Sequence, residues 1–286
     1  MSVKNFIPII WSKKILKELD NEHMIVKNCS TKYSGEISGV GSKVKINSIN
    51  EPTIGDYVPN VTVITPEELQ DESRMLEITE SKYFAFKLDK VDSKQNTQGE
   101  GLLSEGLRKA VVGLIDRAEI FVTTKYADAY SSVTNAALTS GNFFSTFMKA
   151  KRKLMRNGKV STSTPCFAEV TPEVWEKGVL ADILYNNQDN GEMIRKGQYV
   201  QSLGMRFYVS NNIAVVETSE DIVAGTCCVR TKDSIGYAEQ IMETVKYMPE
   251  NSFSNAIKGL HVYGAKMIKP REACKLVLTT AAETTI

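Results

Sequence analysis

The sequence predicts an α+β fold in which helices and strands are segregated rather than alternating. Two patterns carry this prediction. Residues 33–50 and 74–89 contain the two-residue alternation of apolar and polar side chains that is typical of half-exposed strands, whereas residues 101–128 repeat apolar side chains every three or four positions, as an amphipathic helix does. Beyond residue 160 most segments are short strand-like runs separated by turn-forming residues, so the second half adds mainly sheet.

The size and charge of the chain exclude several classes of protein. Its 286 residues can bury the core of one large domain or two modest ones, and its formal net charge of +1 lacks the basic excess of a dedicated nucleic-acid binder. No segment approaches the roughly 20 apolar residues that span a bilayer. The apolar run at 6–11 has no signal-peptide cleavage site behind it. We therefore expect a protein that is made in the cytoplasm and does not enter a membrane.

The first 30 residues predict an N-terminal arm that carries one short amphipathic helix. Ser12 is a suitable N-cap, and Ile15, Leu16 and Leu19 form an apolar stripe at helical spacing. Because so short a stripe cannot form a core, we expect it to pack against the rest of the chain or against a neighbouring copy.

The strand-like segments at 33–50 and 74–89 flank about two dozen polar and turn-forming residues, which predicts a long hairpin. In strand geometry an arm of ~15 residues reaches ~50 Å, whereas a compact chain of this length has a radius of gyration of ~19 Å. We expect the hairpin to project beyond its own domain. It would need a partner surface, since a two-stranded ribbon is marginally stable by itself.

Further helices and strands are predicted in the rest of the chain. One helix covers 143–156 and ends at Asn157-Gly158, and another starts at Thr171, with a proline in its first turn, and runs to residue 184. Apolar side chains at helical spacing also predict a helix over 233–246. The predicted strands are 166–170, 199–200, 206–209, 213–217, 221–230, 260–268 and 275–279.

Neither a thiol site nor a metal site is expected. The five cysteines include no CxxC pair, and the carboxylates form no DxD or HExxH motif. Cys227 or Cys228 with His261 could be a nucleophile and its base, but both cysteines lie in a strand-like apolar run, where thiols are usually core residues. The glycines and lysine at 39–43 precede a strand pattern, not the helix of a phosphate-binding loop. We expect no catalytic residue, no metal and no cofactor.

A basic segment leaves two interpretations open. Six lysines and arginines and no acid lie between residues 149 and 159. They form either the solvated face of the helix predicted there or a contact, independent of base sequence, with packaged nucleic acid or with an acidic partner. The residues of this helix that would face nucleic acid are Lys149, Lys151, Arg152, Lys153 and Arg156.

Several short motifs, taken in order along the chain, resemble those of a known family. They are YSGEI at 33–37, GSKVKI at 41–46, PTIGDY at 52–57, YFAFKLD at 83–89, GMRFYVSNN at 204–212 and GLHVYGAK at 259–266, followed by Pro270. In this order, and together with the order of the predicted elements, they resemble the major capsid (coat) proteins of tailed bacteriophages, which share the Hong Kong 97-type fold. The resemblance spans nearly the whole chain, and the order of the motifs is more specific than any one of them.

The resemblance implies how the chain is divided. Residues 1–33 would be an N-terminal arm and residues 34–90 an extended β-hairpin loop. Residues 91–165 and 247–286 would form a peripheral domain with a long spine helix, and residues 166–246 would form the axial domain, grouped around the five-fold and six-fold axes of a shell.

The resemblance also implies a structural protein and not an enzyme. Copies would assemble through pentamers and hexamers into an icosahedral or prolate shell around phage double-stranded DNA, in a virion assembled in the host cytoplasm. The implied partners are a portal, a separate scaffolding protein or none, and packaged DNA through non-specific contacts, with no membrane. The expected assembly contacts are Trp11, Ile15 and Leu19 in the arm, Ile54, Tyr57 and Val58 at the loop tip, and Asn187, Asn190 and Asn211 in axial turns.

Two other functions stay open. A cellular nanocompartment shell protein of the encapsulin type shares the fold and would enclose a cargo enzyme instead of DNA. An enzyme that uses Cys227 or Cys228 would lose its activity on thiol alkylation. The lysine, asparagine and acid that crosslink some family members have no match in this sequence, so covalent crosslinking is not expected.

Overall fold

The computed structural model describes residues 24–32, 41–49, 71–89, 99–181, 200–219, 222–249 and 254–281, with the single positions Ile54, Asp56 and Pro59. The predicted arm helix lies outside these residues. The helices are α1 Gly99–Thr124, α2 Ser140–Gly158 and α3 Pro172–Leu180. The strands are β1 Lys43–Ile49, β2 Asp71–Glu77, β3 Glu80–Asp89, β4 Ser131–Leu138, β5 Cys166–Val170, β6 Val200–Ser202, β7 Met205–Val209, β8 Val215–Ser219, β9 Ile222–Thr231, β10 Ile235–Tyr247, β11 Ser254–Met267 and β12 Ala273–Thr280.

A mixed seven-stranded sheet forms one half of the fold. Its order is β4-β12-β9-β5-β7-β6, and β8 pairs with β9 outside this path. The β12–β4 and β5–β7 pairs are parallel, and the other pairs are antiparallel. Apolar side chains cover both faces: Cys227 belongs to the core cluster under α2, and its neighbour Cys228 belongs to the cluster on the opposite face.

Helix α2 covers one face of this sheet because its apolar side chains recur at helical spacing. Phe143 and Phe147 are fully buried, and their rings pack at tilted angles against Phe207 of β7. At the N-terminus the Thr139 amide donates to Asn142 Oδ1 over 3.0 Å, which is half of a capping box. The predicted stop at Asn157-Gly158 is confirmed, although the residue in the left-handed conformation is Lys159, with φ 51°.

A three-stranded antiparallel sheet of order β10-β11-β3 forms the other half. Helix α1 packs on one of its faces, where Phe84 and Phe86 contact the cluster of Leu107, Val111 and Leu114. Further along α1, Ala118 and Val122 join the cluster that also contains Cys228 of the larger sheet. The predicted helix over 101–128 is confirmed to Thr124, and residues 125–128 continue as a 3₁₀ turn.

The predicted helix over 233–246 is wrong, because this segment is strand β10. Its residues pair with β11 from Ile235↔Met267 to Tyr247↔Ala256. A register shift between Ile241 and Glu243 moves the alternation of side chains by one position, so no regular two-residue period runs through the segment. The long pairing with β11 outweighs the local helical spacing.

Within the described residues, the predicted hairpin is a two-stranded antiparallel ribbon. Strands β1 and β2 pair from Lys43↔Glu77 to Ile49↔Asp71, with Val44 and Ile46 buried. The predicted second arm over 74–89 is two strands, since the chain turns after β2 and β3 pairs with β11. The base of the ribbon is therefore fixed to the three-stranded sheet of its own subunit.

Glycine at position 264 allows the ribbon to approach the small sheet. A Cβ on Gly264 would collide with the Glu77 carbonyl oxygen and the Ile78 Cα. At this place Leu76 and Ile78 pack with Ala238 and Val262 in one apolar cluster. The close approach buries the apolar face of the ribbon and leaves Lys43 and Lys45 exposed.

Most other predicted elements are confirmed within a few residues. Helix α3 starts after the Thr171 cap, whose hydroxyl accepts from the Val174 amide, and ends at Leu180 instead of residue 184. The larger sheet contains β4 and β12, from the expected peripheral domain, together with β5 to β9, from the expected axial domain. The division into axial and peripheral domains stays a prediction.

Candidate functional site, a buried clamp and the exposed surfaces

Two fully buried charges, Arg230 on β9 and Glu169 on β5, form a bidentate ion pair, which we call the clamp. Arg230 Nη2 lies 2.6 Å from Glu169 Oε1, and Nε lies 2.8 Å from Oε2. Both side chains have 0% exposure. Antiparallel pairing of β5 with β9 places the two residues close together, since Glu169 lies opposite Cys228. Parallel donors on one carboxylate give this contact a fixed geometry.

The remaining hydrogen-bonding capacity of the pair is directed to residues 25–29 and to Tyr126. Tyr126 donates to Glu169 Oε2 over 2.6 Å, and Asn28 Nδ2 donates to Oε1 over 3.2 Å. Arg230 donates to the carbonyl oxygens of Asn28 and Ile25 over 2.7 and 3.1 Å. Burial and the neighbouring carboxylate raise the pKa of Tyr126 well above its usual value, so it remains a donor. Such partners are what a buried ion pair needs to persist.

A second carboxylate, Glu119 of α1, holds the start of the same segment. It is 3% exposed, and it accepts from the main-chain amides of Met24 and Ile25 over 2.6 and 2.9 Å. It also accepts from Asn212 Nδ2 over 2.9 Å. Ser30 then pairs with β10, since its amide donates to the Ile235 carbonyl oxygen over 2.9 Å. We call residues 24–30 the arm anchor, because they lie at the C-terminal end of the predicted arm.

This anchor is not evident from the sequence. Glu119 lies off the apolar stripe of its helix, where a solvated carboxylate is the usual interpretation. The available signal was one charged residue inside each of two apolar strands, Glu169 in CFAEV and Arg230 in TCCVR. A buried charge demands an opposite charge nearby.

The cysteines and His261 do not form a nucleophilic site. All five cysteines are buried, and burial raises the pKa of Cys227 to about 12 and that of Cys228 well above its usual value. A thiol with so high a pKa is not a nucleophile at neutral pH. His261 lies on the other sheet, with Nε2 3.0 Å from Glu239 Oε2. The predicted core role of the cysteines is therefore confirmed.

The basic side chains of α2 divide into two groups. Lys151 donates to the Leu203 carbonyl oxygen over 2.8 Å, and Lys153 donates to that of Ser132 over 2.7 Å. Lys149, Arg152 and Arg156 are exposed and form no hydrogen bond or ion pair within the described part of the chain. The first group fastens the helix to neighbouring segments of its own subunit, whereas the second is available to a partner.

The other predicted contact residues are only partly described. Ile54 is 95% exposed, and Asn211 lies exposed in the turn before β8. Trp11, Ile15, Leu19, Tyr57, Val58, Asn187 and Asn190 lie outside the described residues.

Exposed apolar side chains that the sequence analysis did not single out lie elsewhere. Tyr83 on β3 is 80% exposed beside a groove of about 370 Å³ that Val245 and Leu260 also line. Val216 on β8 is 68% exposed. None of the helices in the described ranges has the length and apolarity to cross a membrane.

Comparisons with known proteins are informative for structure. No family model matches the sequence, and no curated protein matches it. Among solved structures, a chain of Mycobacterium phage Che8 is similar with a TM-score of 0.70 and 20% identity, over 89% of this chain and 91% of that chain. The capsid structure of the cyanophage P-SCSP1u is similar with a TM-score of 0.63 and 11% identity, over 86% and 85% of the two chains.

A third similar structure is the virus-like particle from Pyrococcus furiosus. Its TM-score is 0.55 at 12% identity, over 94% of this chain and 99% of that chain. Identities this low carry information on the fold and not on the function. The chain has the fold of tailed-bacteriophage capsid proteins.

Proposed function

We propose that this chain is the major capsid protein of a tailed bacteriophage. Copies assemble through pentamers and hexamers into an icosahedral or prolate shell that encloses double-stranded DNA. The observation that carries this proposal is the structural similarity to a phage chain over 89% of this chain and 91% of that chain. The protein functions by assembling with identical copies. Head-to-tail contacts between these copies close into rings, and many contacts that are weak one by one together stabilise the shell.

The parts of the chain have distinct roles in this proposal. Residues 1–33 are the arm, 34–90 the extended loop, 91–165 with 247–286 the peripheral domain and 166–246 the axial domain of a Hong Kong 97-type subunit. The arm anchor supports the first role, since three hydrogen-bonded points fasten the C-terminal end of the arm to the rest of the subunit. The exposure of Ile54 supports the role of residues 34–90 as the extended loop. Its own subunit leaves this apolar side chain exposed, so a neighbouring copy would have to cover it.

The proposal extends to partners. A portal and, where assembly needs it, a separate scaffolding protein interact with the shell, which resides in the virion. Packaged DNA touches the inner wall without base recognition, as the near-neutral net charge allows.

A second candidate is the shell protein of a cellular nanocompartment. The similarity to the virus-like particle from Pyrococcus furiosus favours it as an alternative. Co-purified cargo enzyme and the absence of DNA distinguish this candidate from a virion.

Light scattering of the purified protein, beside negative-stain electron microscopy, tests the proposal. Rings or closed shells are the expected result. A strict monomer at high protein concentration would leave assembly dependent on a scaffold. A monomer that persists with the native scaffold would contradict the proposal.

A further inference from the structure

We propose that the exposed face of α2 receives the tip of the extended loop from a second copy of this chain. We call this face the basic face and define it by Phe144, Met148, Lys149, Arg152, Met155 and Arg156. The inference rests on the proposed function and names the surface that the loop contacts.

The basic face is both apolar and cationic. Phe144 is 50% exposed and Met148 37% exposed, one turn apart on α2. Towards the end of the helix, a groove of about 540 Å³ is lined by Met148, Met155, Arg152, Arg156, Lys151 and Thr162. Between residues 129 and 168 the sequence contains no acidic residue. The lining of the groove thus combines two methionine side chains, which adapt to apolar partners, with two guanidinium groups.

The loop has the complementary composition. Residues 47–73 contain six acidic residues and no lysine or arginine, against six basic residues and no acid in 144–159. The loop also carries apolar residues that suit the methionine side chains of the groove, among them Ile54, Tyr57 and Val58. The chain as a whole is nearly neutral, so the opposite charges are segregated on one molecule. Identical copies with segregated charges attract each other head to tail.

The position of the loop favours a second copy as its source. The last described pair of the ribbon is Ile49↔Asp71, and 21 residues of loop lie beyond it. The apolar side of the ribbon is already used on its own subunit, where Val44 and Ile46 pack with Ala238. Ile54 nevertheless stays 95% exposed in the single chain. An apolar loop residue that its own subunit does not cover is what a contact between copies requires.

Packaged DNA is a poorer match to the same face. Phosphates would pair with Arg152 and Arg156, but a duplex has no apolar surface to cover the half-exposed ring of Phe144 or the methionine side chains of the groove. An acidic segment with apolar side chains satisfies both components. The basic face therefore suits the loop better than it suits a nucleic acid.

Disulfide trapping between copies tests the contact. All five native cysteines are buried and do not compete with an introduced surface thiol. We would mix the single variants Arg156→Cys and Glu68→Cys under mild oxidation, and score disulfide-linked dimers by mass spectrometry in particles and in soluble oligomers. The matched control pairs Glu68→Cys with Lys232→Cys, since Lys232 is exposed on a different element. We expect the first mixture to give on the order of tenfold more dimer than the control, because docking raises the effective concentration of the two thiols.

Equal yields from both mixtures would overturn the proposal. So would a disulfide that forms only within one chain of the Arg156→Cys/Glu68→Cys double variant. Particle formation by the unmodified chain is scored separately, so failure of the proposed function shows in the unmodified chain and failure of the contact shows in the variants.

Charge reversal gives a second readout. Arg152→Glu/Arg156→Glu and Glu67→Lys/Glu68→Lys should each lower assembly, and an equimolar mixture of the two variants should recover part of it. The control Lys232→Glu/Lys266→Glu reverses two exposed charges elsewhere and should assemble as the unmodified chain does. Normal assembly of Arg152→Glu/Arg156→Glu with a lower DNA content would overturn the proposal and assign the face to nucleic acid.

Discussion

Arg230 and Glu169 join two strands of the larger sheet through a bidentate ion pair that is completely buried, and the same guanidinium holds the main chain at Ile25 and Asn28. The pair thus connects the sheet to the C-terminal end of the predicted arm. Because one end of the arm is already fastened to its own subunit, the arm loses less conformational freedom when it binds a neighbouring copy.

Breaking the clamp should destabilise the subunit strongly. Glu169→Gln leaves Arg230 buried without a counter-charge, and we expect the free energy of unfolding to fall by about 3–5 kcal/mol. Denaturant titration followed by circular dichroism measures the loss. Lys32→Ala, which removes the exposed Lys32–Asp233 pair, is the control and should cost about 0–1 kcal/mol. Equal losses for both variants would contradict the assigned role of the clamp.

Stability should decline at alkaline pH because of the buried thiols. Burial raises the pKa of Cys227 from its ordinary value of 9.0 to about 12, so the folded state retains a proton that the unfolded state releases. The contribution of this group is complete below pH 9 and is lost as the pH rises towards 12. Urea unfolding at a series of pH values from 7 to 11 checks the slope. An unfolding midpoint that stays constant up to pH 11 would refute the prediction.

Adding one methyl group at position 264 should loosen the base of the ribbon. In Gly264→Ala the new Cβ meets main-chain atoms of Glu77 and Ile78, which cannot move aside as a flexible side chain can. We expect a loss of about 1–3 kcal/mol of unfolding free energy. Gly113→Ala on α1, where nothing lies within 4 Å of the added atom, should instead gain about 0.5–1 kcal/mol. A neutral Gly264→Ala variant would show that the ribbon is not held there.

Assembly and folding should separate at the loop tip. Ile54→Ala should lower the yield of particles and leave the free energy of unfolding unchanged, since the side chain is 95% exposed in the single subunit. The fully buried Leu76→Ala is the matched control and should lose about 2–5 kcal/mol. Sedimentation measures assembly and denaturant titration measures folding. A normal particle yield from Ile54→Ala would remove this residue from the predicted contacts.

The expected contacts Trp11 and Tyr57 follow the same logic. Alanine at either position should impair assembly more than it impairs folding of the subunit. Normal particles from both variants would count against the arm and the loop tip as connectors.

Local patterns predicted those parts of the fold that local interactions determine. Helix α2 follows from the spacing of Phe143, Phe147 and Leu154, and β1 follows from the alternation of Val44 and Ile46 with lysines. Strand β10 was mistaken for a helix, because its bulge hides the two-residue period and because pairing with β11 is a contact distant in sequence.

The clamp was missed for a related reason. The sequence shows a carboxylate in β5 and a guanidinium in β9, but not that these strands are neighbours. The exposed basic residues of α2 were predicted, whereas the use of Lys151 and Lys153 to fasten the helix depends on carbonyl groups of other elements.

Cryo-electron microscopy of particles purified after co-expression with the native scaffold, where one exists, tests the central claim most directly. We predict closed shells in which the ordered chain forms pentamers and hexamers, with each extended loop lying on a neighbouring copy. Purified protein that remains monomeric or forms only irregular aggregates under these conditions would contradict the claim.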